Sequence, residues 1–157
     1  MLSLASVVPE AASQAVIQAG TLTLSDSSKT TAGILLITVV GIAYGGTFML
    51  RVVGGGVPVT DFQKAFFRAG HAHAGVLVIL GLIATILVDA TDLDGLLQVV
   101  ARDGVPLAAI LMSAGFFVSA IGRDRTTPNR LIILVWLGAL SLSAGVLTLG
   151  IGLLTAG

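Results

Sequence analysis

The sequence contains no cysteine, so it cannot build a disulfide, a thiol nucleophile, an iron–sulfur cluster or a zinc knuckle. Charged residues make up only 10% of the chain, and eight basic and eight acidic side chains give a formal net charge of zero. No phosphate-binding Gly-Lys-Ser/Thr loop, serine-hydrolase elbow or His-Glu-x-x-His motif occurs. Gly54-Gly55-Gly56 lacks the strand-before, helix-after context of a nucleotide loop. Histidine is confined to a single pair, His71 and His73. These absences remove the common catalytic frameworks and leave enzymatic activity unassigned.

What is abundant is apolar sequence. Hydrophobic residues form 55% of the chain, and the mean hydropathy is +1.05, the composition of a membrane solute. The apolar residues fall into blocks at 31–53, 71–88, 105–122 and 131–154, none holding an acid. A helix needs about 20 mostly apolar residues to cross a hydrocarbon core of roughly 30 Å. No block alternates apolar with polar residues, which argues against spanning strands. The expectation is an all-α, polytopic, up-down bundle of four transmembrane helices over 31–157, with residues 1–30 outside it. A carboxylate proton relay within the spans is not expected.

Charge sets an expected orientation. Arg51, Lys64, Arg68, Arg123, Arg125 and Arg130 flank the first and third connections, whereas Lys29 and Arg102 lie on the other side with most of the acids. Basic loops are retained in the cytoplasm. The reading is therefore a multi-pass protein of the plasma (inner) membrane, with loops 54–70 and 123–130 cytoplasmic and both termini extracytoplasmic. These basic residues are what topology requires, so nucleic acid is not an expected partner.

The first thirty residues carry no base before Lys29, so the basic region of a secretory signal is missing. Ala12, Ala15, Val16 and Ala19 share a face after Pro9, which predicts a short amphipathic surface helix, with a disordered tail as the alternative. Ser25 to Ser28 offers an N-cap for the first span. Thr60-x-x-Gln63 matches a capping box that restarts the chain as a helix after Pro58. The apolar run 96–100 in the second connection is expected on the surface. Thr127 and Pro128 are the expected cap and first-turn residue of the last helix.

Small residues one turn apart recur at Gly41 and Gly45, Gly115 and Ser119, and Ser141 and Gly145. In lipid such patterns let backbones approach closely. Packing within one chain is the first reading, and an oligomer face the second. Tyr44 beside Gly45-Gly46 marks a possible bend or a close approach to a ligand.

The histidines lie in Phe66-Phe67-Arg68-Ala69-Gly70-His71-Ala72-His73-Ala74-Gly75. Two helical residues at this spacing point about 200° apart, so one metal ion cannot readily be held by both. A neutral imidazole satisfying a carbonyl or water is the first expectation, haem or transition-metal ligation the second, and pH-dependent gating the third. The pattern resembles the His-x-His of haem–copper oxidase subunit I, which implies haem or metal at His71 and His73. The other ligands of that family have no counterpart here. From Tyr44 through Leu80 the chain also resembles small four-span integral membrane proteins of actinobacterial type, which implies membrane location and brings no catalytic residue.

The sequence thus predicts a structural or accessory membrane component, in contact with the bilayer and with copies of itself or other membrane subunits, and without a cofactor. A haem- or metal-binding redox component and a small channel or transporter are the alternatives. The candidate site is His71 and His73 with Arg68 and Tyr44.

Overall fold

The computed structural model describes residues 23–157; the expected surface helix over 9–19 lies outside them. Four helices follow in order: α1 (Asp26–Val53), α2 (Asp61–Leu87), α3 (Gly95–Ser119) and α4 (Ile133–Thr155). Single 3-10 turns, Val88–Ala90 and Arg130–Ile132, follow α2 and precede α4. All four helices are long and apolar enough to cross a membrane, and no strand occurs among the described residues. The chain is a multi-pass helical membrane protein.

Each helix packs chiefly on its neighbours in sequence. α2 and α3 form the centre, α1 lies against α2 and α4 against α3, while α1 and α4 share no substantial interface among the described residues. The bundle is therefore open on one side.

Local chemistry explains the starts. Ser25 caps α1 by accepting from the Ser28 N–H, and the Thr60–Gln63 capping box opens α2. The last connection differs from expectation. Asn129, not Thr127, accepts from the Leu131 N–H, and it also donates from Nδ2 to the Val118 carbonyl. A side-chain amide accepts at Oδ1 and donates from Nδ2, two atoms set apart, so Asn129 ties the start of the final helical segment to the end of α3.

The helices also run past the apolar blocks. Residues 61–70 and 95–104 are helical, so the 96–100 segment is part of α3's first turns. Asp103, just ahead of the 105–122 block, consequently lies inside α3, as Asp26 and Asp61 lie in the first turns of α1 and α2. Arg102 makes this tolerable: its Nη2 lies 3.0 Å from Asp103 Oδ2, and its Nε also donates to that carboxylate. Mutual neutralisation lets the helix continue through a charged pair.

The α3–α4 seam is built on absent side chains. A Cβ on Gly104 would lie 2.8 Å from Gly145 Cα, and one on Gly115 would lie 2.8 Å from the Val135 nitrogen. Ser141 Oγ donates to the Gly104 carbonyl at 2.8 Å, and Ser119 is fully buried. Gly115, Ser141 and Gly145 thus pack within the chain. A Cβ on Gly41, by contrast, would meet nothing within 4 Å among the described residues.

Candidate functional site

All eight aromatic residues, from Tyr44 to Trp136, lie in the half of the helices nearer the basic loops. Phe67 stacks on Phe117 at 5.7 Å and tilts against Phe48 at the same distance, while Phe66 meets Phe116 edge-on at 5.5 Å. These contacts join α1, α2 and α3, and each such pair contributes about 0.5–1.5 kcal/mol beyond its buried area. Gly70 makes room for them, since a Cβ there would sit 2.9 Å from the Phe117 ring.

The two histidines leave α2 toward different neighbours. His73 tilts against Phe116 at 4.9 Å on the α3 side, and its Nδ1 donates to the Ala69 carbonyl at 2.7 Å. A carbonyl can only accept, so this contact fixes the proton on Nδ1. His71 faces α1. Its Nε2 lies 3.7 Å from where a Gly46 Cβ would stand, and its Nδ1 3.9 Å from the corresponding point at Gly45. Both distances are ordinary van der Waals contact, so these glycines form a flat wall beside the ring.

Tyr44 is 79% exposed on α1, and Arg68 is exposed at the basic end of α2. Among the described residues no cluster of three or more histidine, cysteine or acidic side chains is grouped to hold a metal ion. His71 and His73 do not converge on one position, so a single haem or metal held by both does not fit these side chains.

At the opposite end lies a feature that sequence reasoning passed over. A cavity of about 400 Å³ separates α1 from α3, floored by Ala74 and Val78 of α2. Its walls are apolar except at Thr31 and Asp103 at the mouth, Thr38 on α1, and Ser113, whose buried Oγ has no hydrogen-bond partner. Thr31 Oγ1 donates to Asp103 Oδ1 at 3.2 Å. Pro106 lines the same space and has no N–H to return to the Arg102 carbonyl one turn back. The sequence signal was present in Arg102-Asp103 followed by an in-helix proline, but charges beside a proline read as a loop.

Comparison with protein-family models, curated proteins and solved structures found no match for this chain.

Proposed function

We propose that the chain is an accessory component of the plasma (inner) membrane that acts by lateral association, with a second copy of itself docked against α1. One observation carries this reading: among the described residues, the flank of α1 marked by Gly33, Ile37 and Gly41 has no neighbour. Gly33 and Gly41 meet nothing within 4 Å, and Ile37 is 75% exposed. Helices associate in lipid by close van der Waals contact, which small residues allow. A two-fold axis would bring this flank onto its own copy.

The openness of the flank makes the test clean. A Cβ at Gly41 or Gly33 meets no described atom within 4 Å, so Gly41→Leu and Gly33→Leu probe assembly with little disturbance of the described fold. The full chain in mild detergent should run as a dimer, and either substitution should yield a monomer with unchanged helicity, its unfolding midpoint lowered only by the loss of the partner. Ile37→Cys should cross-link in native membranes, whereas a cysteine at exposed Leu147 on α4 should not. A monomeric parent protein, or a dimer indifferent to both leucines, would overturn the reading.

A further inference from the structure

The cavity between α1 and α3 has the length of one membrane leaflet. From Thr31 to Arg51, α1 covers about 30 Å at the helical rise, the thickness of a hydrocarbon core. The cavity extends along α1 from Thr31 to Ile42 and along α3 from Asp103 to Ser113, which is about 15 Å on either helix. It therefore starts at the polar boundary and ends near the midplane. Its volume of about 400 Å³ falls among small-molecule sites of roughly 300–1,000 Å³. The aromatic side chains that fill the other half of the bundle are absent from its walls.

A polar depression lined by Asp26, Ser27, Thr30, Thr31 and Arg102 continues the cavity outward, sharing Thr31 with it. Arg102 turns Nε and Nη2 to Asp103. Its Nη1 makes no hydrogen bond among the described residues and keeps donors for a phosphate oxygen. Across the depression stands the Asp26 carboxylate, 99% exposed and paired only with the surface Lys29. Two ion pairs, Arg102–Asp103 and Lys29–Asp26, leave the mouth of the apolar cavity without net charge and with charges of both signs, which complements a zwitterion. Asp89, which accepts from Ser25 at the start of α1, and Asp92 and Asp94 in the connection to α3 add negative charge at this end, which disfavours a headgroup with net negative charge.

We propose that this cavity binds one zwitterionic phospholipid with a primary ammonium headgroup, of the phosphatidylethanolamine class, from the leaflet on the acidic side. Arg102 receives the phosphate, Asp26 the ammonium, and one acyl chain lies between α1 and α3 down to Ser113. The site adjoins the α1 flank proposed for self-association, since Ile34, Thr38 and Ile42 follow Gly33, Ile37 and Gly41 in sequence, but its argument does not rest on that reading.

The test is native mass spectrometry of the full chain released from nanodiscs containing equal parts of phosphatidylethanolamine, phosphatidylglycerol and phosphatidylcholine. One phosphatidylethanolamine per chain should survive activation that strips the other two. Arg102→Gln should reduce retention about tenfold, the loss expected for a hydrogen bond to a charged group. Asp26→Asn should erase the preference over phosphatidylcholine, whose ammonium has no N–H to donate. Should Arg102→Gln fail to fold, Thr38→Phe with Ser113→Leu decides, because it fills the channel and keeps the Arg102–Asp103 pair; retention should vanish with helicity unchanged. Equal retention of the three lipids, preference for phosphatidylglycerol, displacement by millimolar inorganic phosphate, or retention unaffected by the filled channel would each overturn the proposal.

Discussion

Gln63 connects the two basic-side loops through a single side chain. Its Oε1 accepts from the Thr60 N–H at 3.1 Å, and its Nε2 donates to the Ala120 and Gly122 carbonyls at 2.9 and 2.8 Å. It is 5% exposed, so these bonds replace water. Thr60 adds a hydrogen bond to the Arg125 carbonyl. Gln63→Ala would leave the carbonyls and the cap N–H without this partner, at a cost of about 1–3 kcal/mol. Gln63→Glu should be worse, because a carboxylate turns acceptors toward two carbonyl oxygens. Thermal unfolding in detergent measures both; a midpoint unchanged in the alanine variant would mean that the loops are held elsewhere. The capping box was legible because it is local. Its reach across the molecule was not, since the two carbonyls lie 57 and 59 residues away in sequence. The histidines follow the same division: helical period separates His71 from His73, but only the tertiary arrangement assigns one ring to Gly45-Gly46 and the other to Phe116.

At the level of elements, the two outer helices use their glycines differently. α4 packs backbone to backbone on α3, so a side chain at Gly145 must displace main chain: its Cβ would lie 3.1 Å from Gly104 Cα and 3.2 Å from the Val105 nitrogen. Gly145→Leu should destabilise the chain by about 1–3 kcal/mol or more, the usual effect of overpacking. Gly41→Leu should cost less, because its Cβ meets no described atom within 4 Å and only the contact with a second copy is lost. Equal midpoints for both variants in detergent would mean that the α3–α4 contact is looser than described. The sequence offered three similar small-residue patterns and no means of ordering them, because spacing does not reveal which face a neighbour covers. The start of α3 was hidden for another reason. A charged pair ends an apolar block in sequence, whereas in the helix Arg102 and Asp103 bond to each other and the α-helix continues through them.

The whole molecule is polar along its long axis. Six basic residues surround one end, where the aromatic residues also gather, and the other end has two bases with most of the acids. Tyr44 and Trp136 are 79% and 68% exposed. Each stands about 10 Å along its helix from the nearest basic marker, Arg51 or Arg130, consistent with amphipathic rings anchoring toward one interface. The basic end should therefore be cytoplasmic. The absence of cysteine makes this directly measurable, provided that the probes leave the charge bias intact. Asp94→Cys removes an N-cap whose side chain makes no capping hydrogen bond, and Thr127→Cys changes an exposed residue while retaining all six bases. In intact cells an impermeant maleimide should label position 94 and spare position 127 until the membrane is permeabilised. The reverse pattern would invert the molecule and move the lipid-sized cavity to the cytoplasmic leaflet. Labelling of both positions without permeabilisation would mean two coexisting orientations, incompatible with the six-to-two distribution of bases acting as the determinant.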